Sequence, residues 1–223
     1  MSEVVLVVVA HADDEALGCG GTMAKYALEG SKVHVVFLTN GVSARLESSQ
    51  TDVDFRHQAS KKAAQVLGVN TVTQLNFPDN ATDTIPILDI IKKIEMIGEK
   101  LKPTIVLTHH KHDLNIDHQQ CHKAVLTAFR PMPSKEVHTI LAFEVASSTE
   151  WNFDSRNMFA PNVYFDISST YAKKIKALEI YSKEMRPFPH ARSIDAIQAK
   201  ACVNGTTIGV KQAEAFQLVW SIK

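Results

Sequence analysis

Six apolar residues in a row, Val4-Val5-Leu6-Val7-Val8-Val9, end abruptly on Ala10-His11-Ala12-Asp13-Asp14-Glu15, and a small-residue segment, Ala16-Leu17-Gly18-Cys19-Gly20-Gly21, follows. A β-branched run without polar alternation reads as a strand covered on both faces, which points to a parallel α/β sheet. Carboxylates do not sit against the end of such a strand unless something cationic holds them there. In open α/β sheets, ligands bind just beyond the carboxyl ends of the strands. The first βα loop therefore reads as a metal site. His11 and Asp14, three residues apart on a tight turn into a helix, can address one ion. Asp13 points elsewhere, where a second carboxylate beside an activated water acts as general base. The plainer alternative is three acids that merely favour a helix N-terminus by a fraction of a kcal/mol.

The rest of the chain alternates strand and helix. Ala16 to Leu28 predicts a helix ended by Gly30, and Val33 to Leu38 a second buried strand. Glu47 to Thr51 reads as a polar surface loop, and Asp54 to Leu67 as an amphipathic helix stopped by Gly68. Then come a strand over 72–75, a helix over 87–100, a strand over 104–108, a helix over 117–129, a strand over 140–143, and helices over 169–183 and 193–203. The expectation is a Rossmann-like three-layer α/β sandwich with a mostly parallel central sheet, one domain over residues 1–223.

The second chemistry-bearing stretch, Thr108 to His122, holds five His and two Asp at the carboxyl end of a predicted parallel strand. If that strand adjoins the first across the switch point, the two loops face each other. One His then completes a three-ligand site. His118 and His122, one helical turn apart, are the candidates, with His118 nearer the crevice. Asp117 orients a ligating His from behind. His109, His110 and His112 read as a solvated loop.

Charge and cysteines bound the remaining options. Lys plus Arg equals Asp plus Glu, 24 against 24, so no net field favours nucleic acid or acidic membranes. No apolar run is long enough to span a membrane, and Met1-Ser2-Glu3 lacks a basic leader. Three cysteines without a CxxC pair suit a reducing cytoplasm. The oligomeric state is left open, a homo-oligomer included.

His11-Ala12-Asp13-Asp14-Glu15 resembles the His-Pro-Asp-Asp-Glu motif of the PIG-L/LmbE-like zinc N-deacetylases, and Asn115-Ile116-Asp117-His118 resembles their His-Pro-Asp-His or Asn-x-Asp-His segment. Gly41-Val42-Ser43, Arg56, Ala63-Ala64, Leu67-Gly68 and Ala213-Glu214-Ala215-Phe216 also resemble family positions. The resemblance implies one zinc (or another divalent ion) per chain on His11, Asp14 and His118. It implies Asp13 as base, and hydrolysis of an N-acyl, by default N-acetyl, group on an amino sugar. Ala12 stands where the family has Pro. Asn115 stands for a His that in some members helps stabilise the oxyanion, so either Asn115 or His190 takes that role. Pro189-His190-Ala191-Arg192-Ser193 resembles a His-Pro-Arg-Ser segment found in part of the family.

By position, Arg45, Arg56, Asp79, Glu144 and Arg192 are the candidates for substrate contact, and the arginines would suit a nucleotide-linked sugar. Trp151 reads as core, or as a face on which a sugar stacks. Rival readings are a metal hydrolase of another amide and a non-catalytic zinc- or nucleotide-binding Rossmann-like module. Gly18-Cys19-Gly20-Gly21 lacks the GxGxxG spacing that the nucleotide reading needs.

Overall fold

The computed structural model describes residues 2–41, 50–133 and 136–222. Along the chain run β1 (Val4–Val9), α1 (Asp14–Leu28), β2 (Lys32–Thr39), α2 (Gln50–Leu67), β3 (Thr71–Phe77), α3 (Ile87–Leu101), β4 (Ile105–His109), α4 (Ile116–Ala128), β5 (Thr139–Phe143), β6 (Val163–Asp166), α5 (Tyr171–Ile180), α6 (Ile194–Ile208) and β7 (Ala213–Ser221). The sheet order is β3-β2-β1-β4-β5-β7-β6. The first five strands in that order are parallel, and β7 runs antiparallel to both β5 and β6.

β1 is covered on both faces, as its unbroken apolar run predicts. Val5, Val7 and Val9 pack with Met23, Ala63, Leu67 and Leu178 on the α1/α2/α5 side, whereas Leu6 and Val8 pack with Ile90, Ile94 and Val125 under α3 and α4. Val7 stands opposite Val35 of β2 and Leu107 of β4, so β1 and β4 are neighbours where the strand order reverses. The loops leaving these two strands therefore open into one crevice.

α1 is interrupted at Cys19, whose backbone (φ −142, ψ 19) is not helical. A break of this kind frees a carbonyl before it and amides after it. Lys174 Nζ donates to the Leu17 carbonyl at 2.7 Å, while Gly21 N and Thr22 N donate to Glu214 at 2.9 and 2.7 Å. Lys174 and Glu214 are themselves paired at 2.5 Å and both are buried. α1 also lies close on its neighbours: a Cβ on Gly18 would collide with the Phe143 ring, and one on Gly21 with Ile167.

Three expectations change. β6 and β7 form two strands where none was predicted. α5 ends at Ile180, short of Lys183, and α6 continues past Val203 to Ile208, where Gly209 closes it in the left-handed conformation (φ 76). Gln50 and Thr51, assigned to a surface loop, open α2, and residues 47–49 lie outside the described residues. No described helix is long and apolar enough to cross a membrane.

Candidate metal centre

The crevice between β1 and β4 gathers His11, Asp14 and His118. His11 Nδ1 lies 3.2 Å from Asp14 Oδ2 and 3.2 Å from His118 Nε2, and His118 Nε2 lies 3.3 Å from Asp14 Oδ2. All three residues are buried. The other ring nitrogens of the two histidines also face carboxylates. His11 Nε2 faces Asp117 Oδ2 at 3.0 Å and Asp79 Oδ1 at 3.1 Å, and His118 Nδ1 faces Asp113 Oδ2 at 3.2 Å. A ring N–H that meets a carboxylate leaves the opposite nitrogen with its lone pair. Two imidazole nitrogens and one carboxylate oxygen converge within 4.8 Å. Asp14 Oδ1 is buried without a hydrogen-bond partner as well. A proton or a cation must sit among such donors, and two imidazoles with one carboxylate suit zinc. With protons alone, burial opposes charge on His118, yet Asp14 and Asp113 carry its pKa up to about 9. Burial likewise opposes charge on His11, and Asp14, Asp117 and Asp79 overcome it.

The supporting shell is densely bonded. Asp117 Oδ1 accepts from Thr82 N and Thr82 Oγ1 at 3.0 and 2.6 Å, and its Oδ2 accepts from Asn80 N at 2.7 Å. Asp113 accepts from Asn115 N, Ser148 Oγ and Thr149 Oγ1; His118, with the Ser148 and Thr149 hydroxyls, holds its carboxyl well below the usual range despite burial. Asn115 caps α4, its Oδ1 accepting Asp117 N at 2.8 Å, and its Nδ2 donates to Asn80 Oδ1 at 2.9 Å.

Asp13 sits beside this cluster with φ 129, a backbone conformation that costs a side-chain-bearing residue about 1–3 kcal/mol. Its amide donates to Glu15 Oε2 at 3.0 Å, and Glu15 Oε1 accepts from Tyr181 Oη at 2.7 Å. Burial pushes the Glu15 carboxyl up to about 7. Asp13 Oδ1 accepts from Arg56 Nη2 at 3.2 Å and Oδ2 from Arg192 Nη1 at 2.7 Å. Burial raises the Asp13 pKa against the pull of both guanidiniums. Arg56 also donates to the carbonyls of Ala12 and Gly41, and Arg192 to Ala146 O and Ser147 Oγ. His190 Nδ1 accepts Arg192 N at 3.0 Å, which puts the ring proton on Nε2.

Several expectations are corrected here. Asp79 was expected at a substrate rim and instead is buried against His11. Arg56 is buried against Asp13, not on a rim. Asn115 has its amide engaged in a helix cap and a contact with Asn80. His109 and His110 are buried, not solvated. His109 Nε2 accepts Ala10 N at 2.9 Å and its ring stacks on His118, 3.9 Å between centroids; His110 bonds Gln217 and the Asn157 carbonyl. Trp151 is 41 % exposed, edge-on to His190. Glu144 pairs with Lys200, and Arg45 lies outside the described residues. Sequence pattern alone does not mark Asp113, Glu15 or Tyr181 as site residues. The acidic character of the 108–122 loop pointed toward Asp113, but nothing local pointed to Tyr181.

Comparison with known proteins agrees with this geometry. Residues 6–129 match the family described as PIG-L: GlcNAc-PI de-N-acetylase. The chain is 30 % identical over 182 residues to "Uncharacterized deacetylase YaiS" of Escherichia coli (78 % of this chain, 88 % of that protein). It is 26 % identical over 227 residues to "Probable N-acetyl-alpha-D-glucosaminyl L-malate deacetylase 2" of Bacillus cereus (99 % and 94 %). The fold also superposes on the crystal structure of GalB, the 4-carboxy-2-hydroxymuconate hydratase of Pseudomonas putida, with a TM-score of 0.80 at 22 % identity over 99 % of this chain and 98 % of that one. With more than half of its length matched, and with both motifs folded into one crevice, the chain belongs to the PIG-L family.

Proposed function

We propose that this chain is a zinc-dependent N-deacetylase acting on an N-acetylated amino-sugar conjugate. The observation that carries the reading is the convergence of His11 Nδ1, His118 Nε2 and Asp14 Oδ2, with Asp13 alongside. Zinc, which His11, Asp14 and His118 would hold, would supply Lewis acidity to activate water and polarise an acyl carbonyl. Asp13 accepts the proton of the attacking water and returns it to the leaving amine as the C–N bond breaks, giving acetate and the free amino sugar. Arg192, whose side chain is 19 % exposed against 10 % for Arg56, is the partner that substrate displaces to free an Asp13 oxygen. His190, a donor through Nε2, is better supported than Asn115 as the oxyanion partner, because the Asn115 side chain is held by its helix cap and its bond to Asn80. The free thiols of Cys19, Cys121 and Cys202 fit the cytoplasm.

Similarity to "4-oxalmesaconate hydratase" of Pseudomonas putida, 26 % identical over 241 residues, supports a second reading, addition of water to a conjugated double bond on the same site. One panel separates the two. N-acetylglucosamine conjugates of malate, inositol and a second amino sugar are scored by mass for loss of one acetyl group. 4-Carboxy-2-hydroxymuconate is scored for gain of one water. We expect the first, chelator-sensitive, with Asp13→Asn keeping its zinc while turnover falls by about 10²–10⁴. Hydration without deacetylation would replace the proposal with the second reading.

A further inference from the structure

We infer that Glu15 and Tyr181 are positioning residues that hold the backbone of Asp13 in the conformation from which its carboxylate works, an inference that rests on the deacetylase reading above. Asp13 is held in two separate ways. Its carboxylate is set by Arg56 and Arg192, on opposite oxygens. Its backbone, at φ 129 and ψ −28, is set by something else, because its N–H lies outside the helical ladder of α1 and needs an acceptor of its own. Glu15 Oε2 is that acceptor, at 3.0 Å. With only one oxygen engaged, the Glu15 carboxyl could still rotate about its Cγ–Cδ bond. Tyr181 Oη, arriving from just past α5 and 166 positions along the chain, fixes the other oxygen at 2.7 Å. Both residues are fully enclosed, Glu15 1 % exposed and Tyr181 2 %, so neither reaches the crevice to touch substrate. They act only through Asp13.

Hydrogen bonds, not charge, do the holding, and this makes the inference testable. In Glu15→Gln the carboxamide oxygen accepts the Asp13 N–H and the amide NH2 donates to the Tyr181 oxygen, so both links survive. In Glu15→Ala both are lost. Tyr181→Phe removes one oxygen and keeps the ring in its packing. The three variants and the parent, each loaded with zinc, are compared by metal content, by kcat and KM on the best acetylated substrate of the panel, and by NMR amide exchange at Asp13. For Tyr181→Phe we expect full metal content and unchanged KM, kcat lower by about 10- to 100-fold, and faster exchange at Asp13. Glu15→Gln is expected to rescue the loss seen in Glu15→Ala, in both turnover and exchange. If Glu15→Ala does not fold, Tyr181→Phe and Glu15→Gln still decide the matter. Unchanged kcat and exchange in Tyr181→Phe would overturn the inference, as would a Glu15→Gln chain with turnover as low as Tyr181→Phe. If the parent deacetylates nothing in the panel, the deacetylase reading fails by that result alone, and Asp13 exchange still reports whether Glu15 and Tyr181 hold that backbone.

Discussion

His118 shows how one side chain is specified from both ends. Its Nε2 joins the cluster with His11 and Asp14, while Asp113, anchored by Ser148 and Thr149, takes its Nδ1. Removing that anchor with Asp113→Ala leaves all three donors in place but frees the ring. Zinc affinity measured by chelator competition should fall 10- to 100-fold, against near-complete loss of metal in His118→Ala. His122 does different work. It donates from Nδ1 to the His109 carbonyl at 2.8 Å, and burial pulls its pKa down to about 4 from the ordinary 6.5. Between those pH values the unfolded chain binds the extra proton, so stability falls as pH drops from 6.5 to 4 and levels off below. Relative to a non-titrating His122→Gln chain, which keeps a donor for the carbonyl, the parent should lose on the order of 3 kcal/mol over that window in urea melts. A parallel pH dependence of the two chains would show that His122 is not held neutral. Residues of this kind differ in how far they could be read in advance. His11, Asp13 and Asp14 were legible because a buried strand ends on them. Tyr181 was not, because its partner is 166 positions away and a lone Tyr after a helix carries no local signal.

α1 is an element that depends on others for its own backbone. Lys174 from α5 and Glu214 from β7 complete the hydrogen bonds broken at Cys19. Lys174→Met keeps most of the apolar stem but strands a buried carboxylate and the Leu17 carbonyl. Unfolding free energy should drop by about 3–5 kcal/mol, a loss a surface-lysine control such as Lys93→Met does not share. Helices and parallel strands were readable here from periodicity and glycine stops. β6 and β7 escaped because β6 has only four residues and β7 reads Ala-Glu-Ala-Phe-Gln, where a buried Glu breaks the apolar pattern. That Glu is the one that caps the interrupted helix, so the local rule failed where a distant requirement overrode it.

Across the whole molecule, the sheet order places the two His-bearing loops side by side, so a cation shared between them would tie the halves of the parallel sheet together. Zinc at 100 times its dissociation constant should stabilise the fold by about 2.7 kcal/mol. For a chain of this size that raises Tm by roughly 5–10 °C, reversed by chelator and absent in His118→Ala. The parallel α/β class was legible from one valine-rich run, whereas which loops meet depended on strand neighbours that no single segment encodes.

The pairing of Gly21 and Thr22 with Glu214 reaches across more than 190 positions. During synthesis the ribosome has delivered His11, Asp14 and His118 long before it delivers Glu214. A nascent chain therefore carries all three proposed ligands while the helix that presents one of them is still unsecured. Metal captured at that stage would be held by a half-built helix, and firm retention would begin only once the strand carrying Glu214 has emerged and docked.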